Sequence, residues 1–245
     1  MEYTSSKTVL GHTMKDIKVL SIIPARSGSK GLKGKNIANL AGKPLLAWSI
    51  EASLASAYIT KTVVSSDSEA ILEIAKGYSA TPLKRPPNLA LDTTPSEAVI
   101  THTLNALLKG NEIYDFVILL QPTSPLRNVE DIDKAFKRLY EFDADGLISV
   151  YKEESKILKA FIENKDGSLK GISNNDFPFM PRQELPSVYM SNGAIYIIRV
   201  SEFLKNSQLY TDRTISYEMS KEKSIDIDTL SDLTTAQTLL KSEHI

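Results

Sequence analysis

Between Val19 and Asn36 the chain changes character abruptly, and no other stretch restricts its fold as much. The apolar run Val19-Leu20-Ser21-Ile22-Ile23 stops at Pro24, and the next residues are thick with glycine and cations: Arg26, Gly28, Lys30, Gly31, Lys33, Gly34 and Lys35. A buried parallel strand feeding a glycine-rich, positively charged loop is a common way to build a phosphate site. Glycine lets backbone N–H groups approach phosphate oxygens, and lysine and arginine supply the compensating charge. The plain alternative is a solvated basic turn. Counting excludes two better-known loops. The ATPase-type loop needs four residues between its first glycine and a Gly-Lys-Ser/Thr triplet. Here five residues separate Gly28 from Gly34, and Asn36 follows Lys35. The dinucleotide fingerprint needs Gly-x-Gly-x-x-Gly, whereas Gly28, Gly31 and Gly34 are each three apart.

The 245 residues are enough for one sizeable core, or a core with a small appendage. A net charge of -1 gives no support for nonspecific binding to nucleic acid or an anionic membrane, so any cationic function is local. No apolar run approaches the ~20 residues of a membrane span. Cysteine is absent, which rules out disulfides, thiolate metal sites and a cysteine nucleophile. His12, His102 and His244 are widely separated and read as structural or solvated. Residues 1–16 lack the apolar core of a signal peptide and read as a disordered extension, with Met14 an alternative start. One domain over 17–245 and a cytoplasmic location are expected.

Strand and helix signals alternate from residue 18 to about 150, which predicts an α/β fold with a parallel sheet. Pro44 is placed to open a helix over Leu45–Ala57, with Trp48 on its core side. Lys61–Ser66 reads as a strand and Ser68–Lys76 as a helix stopped by Gly77; Asp67 between them is either functional or a cap. Thr94 and Glu97 form a capping-box pattern with Pro95 at the first helical position. That accounts for those three residues, but not for Arg85, Asp92 or Ser96. Phe116–Leu120 reads as a central strand running into Gln121-Pro122-Thr123-Ser124-Pro125-Leu126-Arg127. The two prolines stiffen this segment and would fix Gln121, Thr123 and Ser124 at the strand's carboxyl end. An amide there can bond a hydroxyl-rich ligand without adding charge. Asn128 would cap a helix through Tyr140. Residues 152–190 then break the alternation with prolines and turn formers and read as an insertion. Ser191-Asn192-Gly193 reads as a turn feeding a strand. In the extended Ser224–Asp228 segment, Asp226 and Asp228 would face one side. Their hard oxygens suit Mg²⁺ (or Mn²⁺) that also meets substrate phosphates, although an Asp-x-Asp alone is a weak signal.

The phrase Pro24-Ala25-Arg26-x-x-Ser29-Lys30-Gly31-x-x-x-Lys35-Asn36 closely resembles the signature loop of the acylneuraminate cytidylyltransferases. Asn36, where the related octulosonate enzymes usually carry proline, favours the nonulosonate branch. The resemblance extends over nearly all of residues 18–240 at five separated motifs in the expected order. It implies a Rossmann-like nucleotidyltransferase fold with a small inserted dimerisation module. It also implies transfer of CMP from CTP to the anomeric hydroxyl of a nine-carbon α-keto acid sugar, with release of pyrophosphate. By that resemblance Ala25, Arg26, Ser29, Lys30, Gly31, Lys35 and Asn36 wrap the nucleotide, and Arg85 and Ser96 contact its base or ribose. Gln121, Thr123, Ser124, Asn192 and Tyr196 line the sugar pocket. Arg182 and, less securely aligned, Lys159 meet the acid sugar or phosphate, the module lending side chains to the partner of a homodimer. Asp226 and Asp228 hold the metal, and Arg26, Lys35 and Asp228 are the catalytic set. One departure is Met190, where some members have arginine. The alternatives are the same reaction on an eight-carbon octulosonate, and a catalytically silent nucleotide-sugar binding protein.

Overall fold

A computed structural model of the protein describes residues 17–28 and 31–242. The expectations for residues 1–16, Ser29, Lys30 and His244 lie outside these described residues. In chain order the elements are β1 (Val19–Pro24), the short pair β2 (Asn39–Leu40) and β3 (Lys43–Pro44), α1 (Leu45–Ala55), β4 (Lys61–Ser66), α2 (Glu69–Gly77), β5 (Thr81–Lys84), α3 (Ser96–Leu108), β6 (Phe116–Leu119) and α4 (Val129–Glu141). They continue with β7 (Gly146–Glu153), the hairpin β8 (Phe161–Glu163) and β9 (Leu169–Gly171), β10 (Val188–Arg199), α5 (Val200–Asn206), β11 (Thr214–Glu218) and α6 (Leu230–Ser242).

Seven strands make one sheet in the order β11-β7-β10-β6-β1-β4-β5. Neighbours are parallel except where β10 lies antiparallel between β6 and β7, so the sheet is mainly parallel, as expected. In β1 and β6 the apolar runs are continuous because both faces are covered: Leu20, Ile22, Ile23, Val117, Ile118 and Leu119 are all fully buried. The chain passes outward from β1 through β4 to β5, then returns to place β6 on the other side of β1. That reversal opens a crevice at the strands' carboxyl ends, where open α/β sheets bind ligands.

Asn128 caps α4 as the sequence predicts: its side chain accepts from the Asp131 backbone N–H at 3.1 Å, and Asp131 accepts in return from the Asn128 N–H at 3.1 Å. Ile132, Ala135, Phe136 and Leu139 bury the helix's apolar face. Other local expectations shift. α1 ends at Ala55 rather than Ala57, and Gly77 is the last residue of α2 rather than the stop beyond it. The Thr94–Glu97 capping box does not form. Pro95, in an extended conformation, occupies the cap position with no side-chain bond, so α3 starts one residue later than the pattern implies. Trp48 is half-buried rather than central; its Nε1 donates to the Leu40 carbonyl at 3.1 Å. Ser191–Gly193 is no turn but an irregularity within the single strand β10, where pairing to β7 shifts between Ser191 and Tyr196. Between β7 and β10 the described chain holds only 3-10 turns and the β8–β9 hairpin.

A third, smaller apolar cluster lies beyond the main sheet. It joins Leu40, Leu45, Leu126, Ile227, Leu233, Ala236 and Leu240, with Leu32 and Trp48 packed against it. Leu32 comes from the glycine-rich loop and Ile227 from the segment before α6. Their shared burial brings together two stretches almost 200 positions apart in sequence.

Candidate active site

The crevice at the carboxyl ends of β1, β4 and β6 is an open cleft of about 270 Å³, lined by Arg26, Lys35, Arg85, Gln121, Thr123 and Asp226. Asn36, Asp92, Thr94 and Ser96 contribute polar surface, and Leu91 and Val99 form an apolar wall. The volume falls just below the usual range for small-ligand sites, about 300–1,000 Å³, and the cleft is open to solvent.

Each cation is held by a specific bond. Asn36 Nδ2 donates to the Arg26 carbonyl at 2.9 Å, so Asn36 fixes the backbone of the arginine as well as facing the cleft. The Arg26 guanidinium pairs with Asp92 from the loop before α3. Gly34, at φ +68°, turns the chain into the 3-10 turn that presents Lys35. Lys35 Nζ donates to Asp228 Oδ1 at 2.7 Å and to the Ile227 carbonyl at 3.0 Å. Asp67 is neither a cap nor a lining residue. It accepts from the Ser27 N–H at 2.9 Å and the Ser27 hydroxyl at 2.5 Å, fastening the start of the loop to the end of β4. Burial raises the Asp67 carboxyl, but the Ser27 hydrogen bonds and the nearby Arg85 charge outweigh it and hold the pKa below the usual carboxylate value.

Arg85 is almost fully buried and spans the cleft floor, donating to the Ser65 and Leu89 carbonyls at 3.3 Å each. Burial lowers its pKa, with Asp67 opposing. Gly31 comes so near the acidic segment that a Cβ there would lie 2.3 Å from the Asp228 carbonyl oxygen. The Leu32 N–H donates to that same oxygen at 3.0 Å, and the Ile227 N–H donates to the Thr123 carbonyl at 2.8 Å. Residues 226–228 are thus clamped between the glycine-rich loop and the loop after β6. With Ile227 buried, the carboxylates on either side are left outside the apolar cluster. Asp226 keeps accessible surface in the cleft while crowded by protein atoms. That crowding raises its pKa against a hydrogen bond from Thr123, and the Asp228 charge adds to the rise. Among the described residues no group of three or more His, Cys, Asp or Glu side chains is arranged to hold a metal. The two aspartates fit a hard cation that takes its remaining ligands from phosphate and water.

The other sequence candidates lie elsewhere. Ala25 is fully buried, its N–H donating to the Ser65 carbonyl at 3.0 Å. Ser124 is fully buried and donates to the Asn192 carbonyl at 3.3 Å. Asn192 is buried, accepting from Ser149 Oγ at 2.5 Å and donating to Ser224 Oγ at 2.9 Å, so it ties β10 to β7 and to the approach to Asp226. Tyr196 packs against the core, its hydroxyl 2.8 Å from Ser191 Oγ. Lys159 donates to the Met180 carbonyl at 2.5 Å, and exposed Arg182 lies 3.6 Å from Glu154; both belong to the stretch between β7 and β10. Among the cleft residues that the sequence reading assigned no role are Leu91, Asp92 and Val99. Of these only Asp92 carried a local signal, being left over by the capping pattern beside it. Gly193, at φ +74°, packs directly on Gln121: a Cβ there would be 2.6 Å from Gln121 Oε1.

Residues 20–245 match a family model described as cytidylyltransferase. Over 229 residues the chain is 33% identical to a pseudaminic acid cytidylyltransferase from Campylobacter jejuni, spanning 93% of this chain and 98% of that one. It is 35% identical over 227 residues to an N-acylneuraminate cytidylyltransferase from Escherichia coli, of whose length it spans about half, 53%, with 93% of this chain aligned. Among solved structures, a CMP-2-keto-3-deoxy-manno-octonic acid synthetase in complex with CTP shares the fold at TM-score 0.70 and 17% identity, with 92% of this chain and 99% of that chain covered. A family match over almost the whole chain, with a relative of one-third identity aligned nearly end to end, places this protein in the cytidylyltransferase family.

Proposed function

We propose that the protein transfers CMP from CTP to the anomeric hydroxyl of a nonulosonate, a nine-carbon α-keto acid sugar, and releases pyrophosphate. The observation that carries this reading is the cleft itself. It gathers the phosphate-loop cations Arg26 and Lys35, the carboxylate of Asp226 and the neutral amide of Gln121 into one lining. The relatives, whose names specify pseudaminic and N-acylneuraminic acid, point to the same acceptor class.

The chemistry asks mainly for positioning and charge neutralisation. Arg26, Lys35 and the loop residues Ser29, Lys30 and Gly31 would hold the triphosphate, with Ala25 and Asn36 shaping the loop's backbone. Arg85 and Ser96 would meet the base or ribose beside the apolar wall of Leu91 and Val99. Gln121 and Thr123 would orient the sugar hydroxyls without adding charge. Asp226 and Asp228 would hold Mg²⁺ (or Mn²⁺), which when bound neutralises charge on the phosphate oxygens. Asp228, exposed and paired with Lys35, would receive the proton as the anomeric oxygen attacks the α-phosphorus in line.

We further propose a homodimer formed through the stretch between β7 and β10. Phe179, Leu169, Ile162 and Ile172 are all exposed there, and Phe161 meets Phe179 edge to face at 6.3 Å. Such an apolar surface is typical of an interface. In that assembly Lys159 and Arg182 would serve the partner's cleft.

The test is mass-spectrometric detection of CMP-sugar after incubation with CTP, Mg²⁺ and N-acetylneuraminate, legionaminate, pseudaminate or an eight-carbon octulosonate in turn. CMP transfer to a nonulosonate is expected. Transfer to the octulosonate alone, or to none of the four, would contradict the reading.

A further inference from the structure

We propose that Arg127, which lies outside the cleft, positions Gln121 for the acceptor sugar by fastening the two backbone segments that grip it. The inference rests on the reading above in which Gln121 contacts the acceptor.

Arg127 is among the largest fully buried side chains, 1% exposed. Its Nη2 donates to Ser49 Oγ on α1 at 2.7 Å, and that hydroxyl donates onward to the Gln121 carbonyl at 3.4 Å. Its Nε donates to the Ala194 carbonyl at 3.3 Å, in the irregular part of β10 next to Gly193. Gly193 is the residue whose backbone abuts Gln121 Oε1. One guanidinium therefore anchors the main chain of Gln121 on one side and the strand against its amide on the other. The Ser124–Asn192 bond closes the same bracket between the loop after β6 and β10.

A purely structural link would not need this residue. Burial lowers the Arg127 pKa to about 10, with Asp131 the charge that opposes the shift. Among the described residues no carboxylate lies within ion-pair distance of it, and Nη1 has no hydrogen-bond partner. Burying an incompletely paired charge is unfavourable, and a neutral side chain could fill the space. What a neutral side chain lacks is a rigid planar fork that donates in two directions at once. Lysine keeps the charge but not the fork, so the two contributions can be separated.

The experiment compares steady-state kinetics and thermal unfolding of wild type, Arg127→Lys, Ser49→Ala and Gln121→Ala. CTP is used with whichever nonulosonate is turned over. For Arg127→Lys we expect kcat/KM for the sugar to fall about tenfold while KM for CTP stays within about twofold. Ser49→Ala, which removes one hydroxyl, should fall in the same direction, and it carries the test if Arg127→Lys does not fold. Adding Ser49→Ala to Gln121→Ala should cost nothing more, because the positioned group is already gone. Wild-type kinetics in Arg127→Lys and Ser49→Ala, or equal losses toward both substrates that track the folded fraction, would overturn the proposal. If Gln121→Ala alone leaves the sugar's KM unchanged, the reading of Gln121 fails, and the proposal with it. If Gln121→Ala raises that KM while the other two variants match wild type, only the positioning role fails.

Discussion

Arg26 is the residue whose partner must change. In the structure its guanidinium is paired with Asp92, a carboxylate facing the same cleft, so a triphosphate bound as proposed would compete with that ion pair. Both side chains keep about a third of their surface, and half-exposed pairs of this kind are worth about 0.2–1 kcal/mol. Asp92→Asn should therefore tighten CTP binding by about 1.4- to fivefold, read by titration calorimetry at fixed salt. Weaker binding would mean that Asp92 itself contacts the nucleotide. Lys35 is held in the opposite sense: its bonds to Asp228 and the Ile227 carbonyl fix it in the cleft lining, where the proposed reading has it meet phosphate charge.

Two elements show how far local pattern reaches. The strand Lys61–Ser66 and the cap at Asn128 were legible because β-branched composition and capping chemistry act within a few residues. The Thr94–Glu97 box failed for a reason equally local: Pro95 takes the extended cap conformation, leaving Thr94 one residue too early. The roles of Asn192 and Ser124 could not be read that way. The family resemblance puts them in the sugar pocket; the structure buries both and bonds them to long-range strand neighbours. The joining of the glycine-rich loop to residues 226–228 likewise depends on the third apolar cluster, which no window of sequence contains. Gly31 tests that junction. Gly31→Ala places a Cβ against backbone rather than a flexible side chain, so one of the two segments must move. Because Lys35 and Asp228 move with them, turnover should fall at least about a hundredfold with little loss of melting temperature, and a variant within about threefold of wild type would contradict the account.

At the scale of the whole molecule, the sheet reversal on either side of β1 opens the cleft, and the mainly parallel architecture was visible in the alternation of strand and helix signals. No helix among the described residues is long and apolar enough to cross a membrane. The exposed apolar side chains between β7 and β10 predict a solution mass twice that of the 27.1 kDa chain. A monomeric mass would remove Lys159 and Arg182 from the site. The central claim is that the cleft carries the CMP transfer. Its most direct test is the rate of pyrophosphate release from CTP, with Mg²⁺ and a nonulosonate, by wild type beside Arg26→Ala and Asp226→Asn. The account predicts release that requires both CTP and the sugar and drops at least about a hundredfold in each folded variant. Release at the wild-type rate in both variants would place the chemistry outside this cleft.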